Sequence, residues 1–107
     1  TLQTNKTHKV FTIGVGGRKI SVDYDEIFFF ETSSNIHKVI LHAKDRQIEF
    51  SGTMKELTGI LDGNFVRCHR SFLVNKNNIK EVDEKNRIIH VTNGETCLMS
   101  TRMMKGL

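Results

Sequence analysis

The densest run of side chains able to do chemistry is Arg67-Cys68-His69-Arg70-Ser71, which sets two guanidiniums, a thiol, an imidazole and a hydroxyl in consecutive positions. A thiol beside an imidazole suggests a nucleophile and its base. Sequence neighbours on a strand point to opposite faces, however, so Cys68 and His69 cannot form that pair. A paired-carboxylate motif, a GxSxG elbow and a P-loop are all missing from the chain, and no enzymatic activity is expected. Cys68 and Cys97 make no CxxC pair, which argues against a zinc ribbon and against a disulfide-rich secreted scaffold. A metal site built from them and a histidine lacks ligand spacing, so neither metal nor cofactor is expected. The chemistry that remains is recognition of an anion by arginine.

Around this run, residues 65–75 alternate with the period of a strand. Val66, Cys68, Phe72 and Val74 make an apolar face that is interrupted at Arg70. An unpaired guanidinium in a core is costly. The pattern therefore predicts a bulge or tight bend at His69-Arg70-Ser71 that turns Arg70 outwards, towards a nearby carboxylate or an anionic partner. Arg67 and His69 share a strand face and are placed to support Arg70.

The elements that must hold this bend are short. Val10 to Val15 reads as a strand, Gly16-Gly17 as a hairpin turn with positive φ, and Lys19 to Val22 as its partner. Asp23 to Glu26 is a turn or a single helical turn. Ile27-Phe28-Phe29-Phe30 is continuously apolar, the mark of a strand covered on both faces; its alternative is an exposed aromatic docking surface. Glu31 to Asn35 is a polar loop. Strands follow at Lys38 to Ala43, with Val39, Leu41 and Ala43 on one side, and at Gln47 to Ser51, with Ile48 and Phe50 inward. Thr53 and Glu56 form a capping box. The helix they open buries Met54, Leu57 and Leu61 with Ile60 beside them, and Asp62-Gly63-Asn64 stops it. Its exposed face mixes Lys55 with Glu56 and Asp62, which makes it a poor probe for a polyanion. Ile79 to Val82, Arg87 to Thr92 and Glu95 to Ser100 complete the strands, the last two joined by a type I′ turn at Asn93-Gly94. Thr101 to Leu107 forms a terminal helical turn with Met103 and Met104 packing back. The result is a mostly β domain of about nine short antiparallel strands and one helix.

The chain has 107 residues, 37% hydrophobic and 7% aromatic, with neither Trp nor Pro. That is enough for one domain with a modest core, placed at residues 9–107 behind a flexible tail at 1–8. Lys and Arg outnumber Asp and Glu by 16 to 12, giving a net charge of +4. The isoelectric point near 9.3 favours a polyanionic partner, though only modestly. No apolar run approaches a membrane span and no signal-peptide pattern opens the chain, so a cytoplasmic location is expected. A first residue other than Met reads as a fragment whose upstream domain lies outside it.

The segment Phe65-Val66-Arg67-Cys68-His69-Arg70-Ser71-Phe72-Leu73-Val74-Asn75 resembles the signature of the LytTR DNA-binding domain of bacterial response regulators. Ile27 to Glu31, Thr53 to Leu57 and Cys97 to Lys105 are similar to the family's aromatic-glutamate strand, short helix and terminal segment. The similarity runs from about residue 9 to 107 and looks closest to the AgrA-type quorum-sensing regulators. The resemblance implies an elongated stack of small antiparallel sheets with loops, rather than a recognition helix, in the major groove. It implies a two-component transcription regulator with a receiver domain upstream, a monomer alone, bound as two copies to imperfect direct repeats in promoter DNA.

By the same resemblance His37, Arg70 and Arg102 meet bases, although from the residues alone His37 and Arg102 are ordinary surface groups. Ser33, Ser34, Asn35, Lys38, Ser71, Ser100, Thr101 and Lys105 flank them and are candidates for phosphate contacts. The alternative function is a non-enzymatic interaction domain for another polyanion such as RNA, or for a protein. Cys68 adjoins the Arg70 bend and Cys97 leads towards Arg102. With their strands side by side the sulfurs form a redox pair; otherwise they are two small buried hydrophobes.

Overall fold

The computed structural model describes residues 9–61, 63–100 and 102. Three antiparallel sheets are stacked in a slab 41 × 41 × 25 Å across. The first is a hairpin of β1 (Val10–Val15) and β2 (Arg18–Asp23). The central sheet has the order β5-β4-β3-β7-β6. Its strands are β3 (Ile27–Thr32), β4 (Lys38–Ala43), β5 (Gln47–Ser51), β6 (Phe65–His69) and β7 (Phe72–Asn75). The third is a meander of β8 (Ile79–Asp83), β9 (Ile88–Val91) and β10 (Thr96–Leu98). The only α-helix among the described residues, α1 (Met54–Ile60), links β5 to β6, and single 3-10 turns at Tyr24–Glu26 and Lys76–Asn78 lead into β3 and β8. Ten strands thus stand where about nine were expected.

Each face of the central sheet carries its own core. Ile27 and Phe30 of β3 pack with Phe11, Ile13 and Val22 of the first hairpin and with Met54, Leu57 and Leu61 of the helical segment. Phe29 packs on the other face with Cys68, Val74, Ile89, Val91 and Cys97. A bulge lets four consecutive apolar residues serve both faces. Ile27 opposes Ala43 and Phe29 opposes His42, so Phe28 is the extra residue and packs beside Phe29. The aromatic run is therefore core, not a docking surface: Phe29 is 1% exposed and Phe30 0%.

Local chemistry explains several joints. Gly16 and Gly17 both have positive φ and close β1 to β2 as expected. The β9–β10 turn differs from expectation. Val91 N donates to Glu95 O, so three residues intervene, and of these only Gly94 has positive φ (91°). A type I′ turn needs positive φ at both central residues; Asn93 instead accepts from Glu95 N through its side chain. Both halves of the capping box form: Glu56 N donates to Thr53 Oγ1, and Thr53 N donates to the Glu56 carboxylate. Ile60, expected beside the buried face, is 64% exposed, because the helix is only two turns long and ends at Leu61 in an extended conformation. Asn75 is fully buried. Its amide donates to Tyr24 O and Ile27 O, and its side-chain oxygen accepts from Asn77 N, which pins the entry to β3 against the end of β7. The expected tail at 1–8, the helix stop at Asp62 and the terminal helical turn lie outside the described residues.

Candidate nucleic-acid interface

The segment 65–75 is a hairpin, not one bent strand. β6 pairs with β7, and Arg70-Ser71 is the two-residue tip between them. The bulge lies two residues earlier than the expected bend. Val66 opposes Val74 and His69 opposes Phe72, so Arg67 and Cys68 together face Leu73. This shift puts Cys68 in the core and lets the Arg67 side chain reach forward. Its guanidinium donates to Arg70 O at 2.9 Å, while Ser71 N donates to His69 Nδ1 at 3.1 Å. Arg70 itself is exposed.

The polar loop after β3 leaves the sheet beside this tip, since Thr32 N donates to Ser71 O at 2.9 Å. It is clasped from β5. Ser33 Oγ and Asn35 Nδ2 both donate to the Glu49 carboxylate, at 2.6 and 2.8 Å, and these bonds hold that carboxyl below its ordinary range. The Ser33 hydroxyl and one N–H of the Asn35 amide are thus engaged on a carboxylate and position the loop. At the loop's end His37 takes a left-handed φ of 58°, a conformation that needs outside support in a residue with a Cβ. Its carbonyl accepts from Gly52 N at 3.0 Å.

These two loops open onto one hollow, lined by His37 and Lys38, by Arg67 and Arg70, and by Thr53 and Lys55 at the start of the helix. None of the described residues lining it is acidic. The arrangement concentrates positive potential where an anion can approach. The Nε of Arg67 is buried there with no partner of its own. Lys55 is the residue that sequence reasoning missed. The mixed charge of the helix surface hid it, yet Glu56 is tied back to Thr53 and lines a different hollow, between the helix and β1. The capping box was the signal that Glu56 was already committed.

Of the other expected contacts, Ser34 and Lys38 are exposed and Ser71 and Ser100 are half-buried. Arg102 is exposed at a turn and does not line the hollow. It lies two residues beyond Ser100, whose N–H donates to Cys68 O at 2.7 Å, so the chain leaves alongside β6. Thr101 and Lys105 lie outside the described residues. Cys68 and Cys97 sit on different sheets and meet across the second core rather than side by side in one ladder. Both thiols are free and buried. The Cys68 thiol donates to Phe72 O at 3.8 Å. Interaction between the two thiols lowers the Cys68 pKa and, together with burial, pushes Cys97 up. Among the described residues no group of three or more His, Cys, Asp or Glu could hold a metal ion. No helix of the described residues is long and apolar enough to cross a membrane.

A stack of antiparallel sheets whose exposed loops converge on a carboxylate-free basic hollow defines a class: a β domain built to receive a polyanion on its loops. The chain belongs to the LytTr DNA-binding domain family, which matches residues 17–107. It is 48% identical over 90 residues to accessory gene regulator protein A of Staphylococcus epidermidis (strain RP62A), covering 84% of this chain and 37% of that protein. It is 46% identical over 103 residues to accessory gene regulator protein A of Staphylococcus aureus (strain N315), covering 94% and 43%. The chain thus spans less than half of either relative. A solved LytTr DNA-binding domain from Bacillus cereus superposes with a TM-score of 0.76 at 26% identity over 88% of each chain.

Proposed function

We propose that this domain binds promoter DNA in a sequence-specific way, as the output end of a response regulator that acts in quorum sensing. The observation that carries the proposal is the hollow that joins His37, Lys38, Lys55, Arg67 and Arg70, with no acidic residue among the described residues that line it. In this reading His37, Arg70 and Arg102 approach base edges in the major groove, where arginine is the best reader of guanine. Ser34, Lys38, Ser71, Ser100, Thr101 and Lys105 lie along the phosphates, joined by Lys55, while Ser33 and Asn35 hold the loop. Two copies occupy an imperfect direct repeat, and a receiver domain upstream governs access in the cytoplasm. The role is one of binding, without catalysis.

The competing reading is a domain for single-stranded RNA or another polyanion. Recognition of splayed bases relies on exposed aromatic rings. None of the Phe or Tyr rings is exposed: the seven Phe and the single Tyr are buried or half-buried, which leaves His37 as the one exposed ring among the described residues. Duplex DNA is favoured on that ground. The test is to select a duplex from a random pool with this chain, then compare it with a scrambled duplex and single-stranded RNA at one salt concentration. Tighter binding to the selected duplex supports the reading; equal binding to all three overturns it.

A further inference from the structure

Among the described residues Ile36 is the most exposed of the large apolar side chains, at 81%, ahead of Ile60, Leu98 and Val10. Ile60 and Val10 border one apolar hollow near the helix, and Leu98 alternates with buried Cys97 on a strand. Ile36 has neither setting. It stands in the loop between Asn35 and His37, with exposed polar residues on both sides.

An isolated surface isoleucine is by itself unremarkable. This one is held in place. Ser33 and Asn35 are bound to Glu49, Ser33 N donates to Lys38 O, and Lys38 N donates to Asn35 O. These bonds close the turn around Ile36. Its immediate neighbour His37 lines the basic hollow with Arg70. The loop therefore offers a fixed apolar group next to its cationic ones, and an ordered group binds at lower entropic cost than a frayed one.

Duplex DNA carries one exposed apolar group on its base edges, the C5-methyl of thymine, and that group lies only in the major groove. We propose that Ile36 reads a thymine methyl beside the base step that His37 meets, so that it sets sequence preference at that position. The inference rests on the DNA-binding reading above and adds a determinant to it.

The test removes single methyl groups. In a duplex selected by this chain, each thymine is replaced in turn by deoxyuridine, and affinity is measured for the wild type, Ile36→Ala and Ile36→Val. One or two replacements should weaken the wild type about three- to fourfold, the effect of one buried methyl. The same replacements should leave Ile36→Ala unchanged, while Ile36→Val keeps most of the sensitivity. Melting should be the same for all three proteins, because the side chain is solvated in the free domain. If a duplex is selected but no thymine shows a methyl effect that depends on residue 36, the role of Ile36 is wrong and DNA binding stands. If no duplex is preferred over a scrambled one, both fall together.

Discussion

Two loops supply the basic hollow, and they are held in opposite ways. The hairpin tip at Arg70-Ser71 is fixed by its own strand: Arg67 and His69, three and two residues before the atoms they bind, grip the turn backbone. The loop at residues 33–37 is fixed from elsewhere in the chain. Its clasp is Glu49, sixteen residues from Ser33 and fourteen from Asn35, with Gly52 supporting the strained His37. A locally held tip keeps its geometry wherever the hairpin forms. A loop held at long range depends on the whole β3–β4–β5 ladder staying in register. The difference also separates charge from position. Arg67 adds a cation to the hollow while it holds the tip, whereas Glu49 holds its loop with a charge that repels phosphate.

The largest break in this comparison should come from what both loops stand on. Phe30 is fully buried in β3, between the strand that leads to one loop and the strand that leads to the other, and its ring meets Phe11, Phe50 and Phe65. Phe30→Ala should destabilise the domain by roughly 3–5 kcal/mol, measured by denaturant or thermal unfolding. Both loops should lose order together.

Arg102, proposed above to read a base from outside the two loops, sets the scale for a direct contact. Arg102→Ala should lose roughly 1–3 kcal/mol of affinity on the selected duplex and less on a scrambled one, with relaxed preference at one guanine. Equal loss on both duplexes, in binding isotherms at matched salt, would reduce Arg102 to a phosphate clamp.

Arg67→Ala tests the locally held tip. Loss of its charge-assisted bond to Arg70 O, about 1.5 kcal/mol, should weaken selected DNA roughly tenfold. Arg67→Lys keeps the charge without the planar fork, so it should restore scrambled-duplex binding better than selected-duplex binding. If the lysine variant recovers both equally, Arg67 contributes charge alone.

Oxidation offers a way to disturb the tip from behind. Cys68 lies two residues before Arg70, and it shares the second core with Cys97. Peroxide can take both thiols to a disulfide while it is itself reduced to two waters. The expected outcome is a several-fold loss of affinity that thiol reductant reverses and that Cys97→Ser does not show. Unchanged affinity in an oxidised wild type, with the bridge verified by mass, would leave the pair as buried packing only.

The smallest effect carries the most informative sign. If only charge matters, Glu49→Ala should strengthen binding to any duplex, because a carboxylate near the hollow is gone. If the clasp matters, selected-duplex affinity should fall by a few-fold while scrambled-duplex affinity holds or rises. The pH dependence follows the same logic. The Glu49 carboxyl is held below its ordinary value by Ser33 and Asn35, so the clasp is intact above that ordinary value and is lost as pH falls through the lowered one. Loop order, followed by amide exchange at residues 33–37, should fade on that acid limb and be pH-independent in Glu49→Ala.

Sequence alone determined what depends on neighbours in the chain. Strand periodicity marked β1, β4 and β5 at their observed bounds, the pair Gly16-Gly17 marked a turn that needs positive φ, and Thr53 with Glu56 marked the helix start. Arg70 was legible as an outward residue because an arginine in an apolar phase must leave the core, and Arg67 and His69 were legible as its supports because they are only a few residues away. Tertiary structure alone decided what depends on partners distant in sequence. Glu49 looks like an ordinary outward strand residue until β5 is laid beside β4 and brings it under the loop. Lys55 reads as part of a mixed surface until the capping box turns Glu56 aside and the helix start is set against β6 and β7. Sequence brings Cys68 and Cys97 together only through neighbouring strands, yet they meet because two sheets stack face to face. Asn75, buried with its amide on two carbonyls about fifty residues away, carries no local signal at all. Periodicity and capping act over a few residues and are written in the order of the chain, whereas a long-range hydrogen bond exists only once packing has chosen the register that brings its ends together.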